Sequence, residues 1–289
     1  MYLITGTSGH FGKTAAKYYL QHHQGQNLAI LSRSADKVKD LTDQGAELRT
    51  GDYNDYTSLV KAFQGIEKVL FVSSNDLAKR EAHHKNVINA AKKAGVKHLL
   101  FTSFQFLSMQ EDSPNGLMPV YVETERFLKE SGIGYTILRN GIYTELLPDI
   151  IGGAIRENRT LLAPAGNTKV AFTSRNDLAE AAARLLISDA PQNTTLDLTN
   201  NQTVNFPEIA LLLSQVISTE INYIDPGADA YKQVLTEAGL PAEVVGLLVS
   251  IMKSIESGEF TRTSDDLQTI LGREPESVET FLRNTYSQS

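Results

Sequence analysis

The chain contains no cysteine, which excludes disulfides, thiolate nucleophiles, iron–sulfur clusters and thiolate zinc sites, and permits a reducing compartment. Long apolar runs are missing too: the longest nearly unbroken stretch, residues 244–252, falls far short of the roughly 20 residues a membrane-spanning helix needs. The opening Met1-Tyr2-Leu3-Ile4-Thr5 carries neither a basic n-region nor a long h-region, so no signal peptide is expected and a cytoplasmic protein is. Basic residues are the minority, 27 against 34 acidic ones for a net charge of −7. That balance disfavours a dedicated nucleic-acid binder, which presents a basic face to phosphates. No Gly-x-Ser-x-Gly elbow occurs, so a hydrolase lacks its nucleophile. The neighbours His22-His23 and His83-His84 point about 100° apart on a helix and cannot chelate in i, i+4 geometry, so no metal site is expected.

What is present is an ordinary globular composition, 41% hydrophobic and 21% charged in 289 residues, enough for one large α/β unit or two modest domains. Strand-like apolar runs at residues 2–5, 28–32, 47–50, 68–73, 98–102 and 135–139 alternate with helix-period segments, the pattern of βαβ units and a parallel sheet. Gly25, Gly45, Gly65, Gly95 and Gly132 each precede a strand by a few residues, where a helix-terminating residue takes positive φ. Asp55 reads as an N-cap ahead of Tyr56, Leu59, Val60 and Phe63, one buried helical stripe. The expected fold class is therefore α/β, a doubly wound parallel sheet over residues 1–150. From about residue 141 the rhythm changes: a helix at 147–157, a strand at 169–173, a helix at 177–187 and a strand at 194–198. Helices are then predicted at 206–218, 228–238, 242–257, 264–271 and 276–286, with a short strand at 221–224. Residues 151–289 thus read as a smaller, mainly helical domain, with 169–200 returning to the sheet.

The first strand ends in Gly6-Thr7-Ser8-Gly9-His10-Phe11-Gly12, and a helix follows. This spacing puts glycines where the turn is tight, where backbone approaches a pyrophosphate and where helix meets strand, with phosphate on the helix N-terminus. Alone, a tight βα turn also uses glycine; at the head of a βαβ chain it points to a dinucleotide. The end of the second strand meets the adenosine ribose 2′ position, where an acid selects NAD and a base NADP. The residue there is Arg33, flanked by Ser32 and Ser34 with Lys37 a turn later, and a guanidinium forks onto a 2′-phosphate. NADP(H) is the expected cofactor; the alternatives are a solvated surface arginine with Ser34 capping a helix, or Asp36 on a ribose hydroxyl. Asp52-Tyr53 after the third strand suits the adenine ring, and Asp52 equally suits a plain turn. Ser73-Ser74-Asn75 and Thr102-Ser103 end the next strands, and strand carboxyl ends line the ligand crevice of open α/β sheets.

The glycine run, Arg33, Gly51-Asp52, Thr124-Glu125 and residues 131–143 together resemble the NmrA-like family of atypical short-chain dehydrogenases, in particular its quinone- and triphenylmethane-reducing members. Thr173-Ser174-Arg175-Asn176-Asp177, Gly239-Leu240-Pro241 and residues 271–275 extend the likeness over nearly the whole chain. The resemblance implies a Rossmann domain, a smaller C-terminal domain, and NADPH bound in the cleft between them. The Tyr-x-x-x-Lys pair of ordinary short-chain dehydrogenases aligns with Leu117 and Tyr121, so neither member survives, and related reductases commonly have His or Lys at the Tyr121 position. Tyr121 is then the candidate catalytic residue, hydrogen-bonding the nicotinamide ribose or donating a proton; a half-buried helical aromatic is the plainer reading. A site without a strong acid suits a conjugated acceptor such as a quinone or dye, where cofactor chemistry carries the reaction. Candidates for its slot are Phe104, Phe106, Met109 and Met118, with Asn140, Gly141, Ile142 and Tyr143 after the sixth strand, and residues 105–120 are long enough for a lid or a passive surface loop. The expected activity is hydride transfer from NADPH to a small conjugated acceptor. A dinucleotide-sensing regulator without turnover is the rival, and a nucleotide-sugar epimerase, which needs the missing acid, ranks last. Monomer and homodimer both remain open.

Overall fold

Seven strands, each parallel to its neighbours, form a central sheet in the spatial order 47–50, 28–32, 2–4, 68–71, 98–104, 134–140 and 194–198. In this computed structural model, residues 1–23, 27–108, 118–189 and 191–287 are described. The first half runs β1 (Tyr2–Ile4), α1 (His10–His22), β2 (Leu28–Ser32), α2 (Lys39–Thr42), β3 (Glu47–Thr50), α3 (Tyr56–Ala62), β4 (Lys68–Phe71), α4 (Arg80–Ala94), β5 (His98–Phe104), α5 (Met118–Glu130) and β6 (Gly134–Asn140). The second runs α6 (Leu147–Ile151), α7 (Ile155–Asn158), β7 (Thr160–Leu162), α8 (Arg175–Ile187), β8 (Thr194–Leu198), α9 (Phe206–Ile217), β9 (Asn222–Ile224), α10 (Ala228–Glu237), α11 (Ala242–Glu256), α12 (Asp266–Leu271) and α13 (Val278–Tyr286). This is a Rossmann sheet extended by β8. Its strand order reverses between β1 and β4, the switch point at which such sheets open a crevice.

Alternation along each strand explains the two covered faces, because successive side chains point to opposite sides. Ile4, Leu70, Leu100 and Leu138 face α1, α8 and α12. Leu3, Val69, Phe71, Leu99, Phe101 and Ile137 face α3, α4 and α5 in a second apolar cluster, which continues without a break into α9, α10, α11 and α13. Strands covered on both faces read as unbroken apolar runs, and all of β2 and β4 is buried. Gly45, Gly65, Gly95 and Gly132 take positive φ at the predicted helix stops; Gly25 lies outside the described residues. Asp55 caps α3 by accepting from the Ser58 N–H at 3.0 Å.

Four expectations shift. Tyr56, at the first turn of α3, is 41% exposed while Leu59 and Phe63 are fully buried, so the stripe begins one turn late. The helix expected over 147–157 breaks into α6 and α7 where Gly152 takes φ 80°. Residues 169–173 form no ladder, only the isolated bridges Tyr143↔Thr173 and Val170↔Val204, while 194–198 does join the sheet as β8 beside β6. The three-residue β7, too short to show a period, pairs in parallel with β9. Among the described residues no helix is long and apolar enough to cross a membrane.

Candidate functional site

The carboxyl ends of β1, β2, β4, β5 and β6 open into one cleft of about 1080 Å³. At its centre the glycine turn leaves β1 with Gly6 at φ 65°, a conformation other residues seldom adopt. A Cβ on Gly12 would lie 2.6 Å from the Gly6 carbonyl oxygen and 2.7 Å from that of Thr5, so α1 packs hard on the turn. A Cβ on Gly9 would meet nothing closer than 3.4 Å. No side chain caps α1 at Gly9, and its first N–H groups face the cleft lined by Ser8, His10 and Phe11.

At one end stand Ser32, Arg33, Asp52 and Tyr53. Arg33 keeps 72% of its side-chain surface and sits 3.7 Å from the Asp52 carboxylate. Burial raises the Asp52 carboxyl, but hydrogen bonds from Asn54 and the charge of Arg33 outweigh it and hold it below the ordinary range. Ser34 caps nothing: the 3-10 turn Asp36–Val38 begins after Ala35 without a side-chain cap, and the Ser34 N–H donates to Ser32 Oγ. The Tyr53 hydroxyl donates to the Val72 carbonyl at 2.8 Å and lies 2.6 Å from Thr5 Oγ1, so its ring, not its hydroxyl, is offered to the cleft.

At the middle, Ser73, Ser74, Asn75, Thr102, Ser103 and Tyr121 line the cleft, and a hydrogen-bond chain through His84 links several of them. The Ser74 N–H donates to His84 Nε2 at 3.2 Å, so that nitrogen carries no proton. Burial, then the charge of Arg80, pushes His84 down to about 3, and it is neutral. Its Nδ1–H donates to Thr124 Oγ1 at 2.8 Å, whose own proton goes to the Val120 carbonyl. Ser73 Oγ lies 3.2 Å from His84 Nε2, whose lone pair already takes the Ser74 N–H, and 3.3 Å from the Tyr121 hydroxyl, a contact in which either oxygen can donate. The Tyr121 hydroxyl is thus tethered to the tip of β4 at the edge of the cleft.

Beyond Tyr121 lies an aromatic nest: Phe104 and Phe106 at 4.9 Å between centroids, Phe260 within 5.7 Å of Phe104, and Tyr121 within 6.4 Å of both Phe104 and Phe106. Ile142, Tyr143 and Arg175 close one side, with the Arg175 guanidinium 4.7 Å over the Tyr143 ring; burial pushes the Tyr143 phenol up to about 12. Leu247 and Ile251 of α11 form the roof.

A model of the NmrA-like family matches residues 2–282. The chain belongs to the NmrA-like family. Quinone oxidoreductase 2 of Escherichia coli strain K12 is 31% identical over 272 residues, 94% of each chain. Among solved structures, Citrobacter sp. triphenylmethane reductase complexed with NADP(H) superposes at a TM-score of 0.91, with 32% identity, covering 98% of this chain and 99% of that one. An NADPH-dependent quinone oxidoreductase of Escherichia coli complexed with NADPH also superposes at 0.91, with 29% identity, covering 99% and 100%.

Several of the residues singled out from the sequence of this NmrA-like protein stay outside the cleft. Thr7 is fully buried, its hydroxyl donating to the Leu31 carbonyl. Lys37 sits in the 3-10 turn, whose tight winding carries it off the cleft side. Asn140 and Gly141 are shut in where the 171–173 segment and β8 cover the tip of β6: the Gly141 N–H donates to Leu198, and a Cβ there would meet Thr173 Oγ1 at 2.6 Å. Asn140 is 1% exposed with no well-formed side-chain hydrogen bond. Met118 is buried away from the cleft; Leu117, Met109 and most of the expected lid, 109–117, lie outside the described residues. Arg80, His83, Leu77, Phe260 and the α11 roof escaped the sequence reading. Arg80 left one signal, a basic residue opening a helix against its dipole.

Proposed function

We propose that this protein transfers hydride from NADPH to a quinone or a similarly conjugated small acceptor. The coarser statement, an NADP(H)-dependent oxidoreductase, agrees with the relatives named above, and a sensing role without turnover is not favoured because those relatives bear the names of oxidoreductases. One observation carries the reading: a single cleft runs from a basic end at Arg33, over the glycine turn, to an aromatic nest at Phe104, Phe106 and Phe260.

The residues present fit the dinucleotide. Space above Gly9 and the uncapped α1 N-terminus suit a pyrophosphate, which takes N–H groups and the positive end of the helix dipole. Arg33 suits a 2′-phosphate, with Asp52 holding its guanidinium in place. When bound, NADPH supplies the hydride. The chain's own part is to orient and to keep the slot dry: Tyr121 hydrogen-bonds a ribose hydroxyl, its position held by Ser73, while the aromatic rings and Leu247 and Ile251 exclude water and stack on a flat acceptor. The final proton comes from solvent.

Mixing the protein with NADPH and a panel of quinones and dyes, and following the cofactor absorbance, tests this. Acceptor-dependent acceleration is expected. Tight NADP binding with no acceleration by any acceptor would overturn the reading.

A further inference from the structure

The start of α4 carries a charge that the surrounding structure opposes twice. Arg80 is the first residue of the helix and 7% exposed, yet it makes no ion pair among the described residues. A guanidinium without a counter-charge is unfavourable in a buried place, and the helix N-terminus, the positive end of the dipole, adds to the repulsion. The neighbouring histidines bring no further charge of either sign, because His84 is neutral and burial holds His83 below its ordinary range, and the carboxylate of Asp76, which also lines the cleft, forms no ion pair with Arg80. Despite this, the side chain is held fast. Nε donates to the Ser74 carbonyl at 2.7 Å, and the guanidinium carbon lies 5.3 Å from the centroid of the Tyr121 ring, a cation–π contact. The two terminal nitrogens have no hydrogen-bond partner among the described residues. Arg80 lines the cleft beside Tyr121, between the glycine turn and the aromatic nest.

We propose that Arg80 is the group that meets the oxyanion formed on the acceptor. This rests on the hydride-transfer reading of the preceding subsection. The acceptor takes up one hydride, its carbonyl π bond breaks, and the displaced electron pair stays on oxygen; a proton from water then completes a two-electron reduction, with NADPH as the reductant oxidised to NADP. The new negative charge needs preorganised donors. The Tyr121 hydroxyl, which shares a hydrogen bond with Ser73 at 3.3 Å, carries no positive charge to offer it. The free edge of Arg80 supplies terminal N–H groups on a side chain that is largely buried and anchored through Nε, ready for a charge-assisted contact. The penalty of burying this arginine unpaired is offset only when the oxyanion arrives, so the contact favours the charged state over the neutral acceptor.

The test needs a probe that is not reduced. With the wild-type protein saturated in NADP, 4-nitrophenol is titrated by its absorbance, which separates phenol from phenolate. The phenolate is expected to bind at least about tenfold more tightly than the phenol, moving its apparent pKa down by about one unit in the complex. Arg80→Gln is expected to abolish that preference and Arg80→Lys to restore part of it, while NADPH affinity measured by calorimetry stays within about threefold in both. In turnover with a quinone, kcat is expected to fall about 100-fold in Arg80→Gln with KM little changed. A phenolate preference that survives in Arg80→Gln, no binding of phenolate to the wild type, or a parallel loss of NADPH affinity overturns the proposal; the last outcome makes Arg80 a cofactor anchor. Failure of the functional reading looks different: the wild type then reduces no quinone, whatever the phenolate titration gives.

Discussion

Glu125 and Arg139 form a bidentate ion pair between α5 and β6: Arg139 Nε donates to Glu125 Oε1 at 2.9 Å and Nη2 to Oε2 at 2.7 Å. Ser103 Oγ donates to the same Oε1 at 2.7 Å. Glu125 is 3% exposed, and it lies one turn beyond Tyr121 on the helix that carries that phenol into the cleft. The pair therefore fixes the position of Tyr121 relative to the tips of β5 and β6.

Removing one partner leaves a buried charge alone, which is worse than removing both. Glu125→Ala is expected to destabilise the fold by about 3 kcal/mol, the low end of the range for buried pairs because Arg139 keeps 20% of its side-chain surface. Urea melts read this directly. A loss under about 1 kcal/mol would show that the pair is solvated and not a clamp.

Arg33 is expected to separate the two pyridine dinucleotides. It is exposed, near Asp52, and free to fork onto a 2′-phosphate. Arg33→Ala is expected to weaken NADPH binding by roughly 1.5–3 kcal/mol, tenfold or more, and to leave NADH binding nearly unchanged. Calorimetry with both cofactors decides it, and equal losses would remove Arg33 from the cofactor site.

Gly12 is expected to tolerate nothing larger. The added methyl of Gly12→Ala meets backbone oxygens at 2.6 and 2.7 Å, so α1 must lift off the turn, at a cost of about 1–3 kcal/mol. The lifted N-terminus also misplaces its N–H groups. NADPH affinity should fall together with the melting temperature; a variant that melts lower but binds as before would uncouple the turn from phosphate binding.

Two buried histidines set the acid limit of the fold. Burial and then the charge of Arg80 push His84 down to about 3, and burial followed by the charge of Lys68 pushes His98 down to about 4. In the unfolded chain both titrate near 6.5. Below that pH the unfolded state takes up protons that the folded state refuses, so stability falls as pH drops from about 6.5 towards 4, by at most about 1.4 kcal/mol per pH unit per histidine. His98→Gln, whose amide can keep the hydrogen bond to Thr136 Oγ1, is expected to make the stability curve between pH 6.5 and 4.5 shallower by close to one proton. An unchanged slope would mean that His98 is charged in the native state.

The sheet and the glycine turn were legible because their signals are local. Each strand is a short apolar run beside a glycine stop, and Gly6, Gly9 and Gly12 are three residues apart for reasons of contact that their spacing displays. The roof was not legible, because Leu247 and Ile251 read as one more amphipathic helix until topology sets them over the strand tips. The histidine pair shows the limit from the other side. Two rings pointing apart do not chelate, but the same divergence sends His84 to Ser73 and Thr124 and His83 to Ser74 and Asn54. Lys37 misled because spacing assumed an α-helix where the chain makes a 3-10 turn. Asn140 misled because the return of β8 to the sheet covers a strand tip that would otherwise be open.

Leu247 and Ile251 meet the cleft from a helix that lies in the last fifth of the chain, far from the glycine turn at its start. The proposed acceptor slot is thus walled from two distant stretches of sequence, Phe104 and Phe106 at the end of β5 and Leu247 and Ile251 on α11, and only the first of these adjoins the proposed dinucleotide site in sequence. Substitutions on α11 can diversify the range of oxidants without disturbing coenzyme preference, and a small combinatorial library confined to Glu243, Leu247, Ser250 and Ile251 is where new substrates for this scaffold should first be sought.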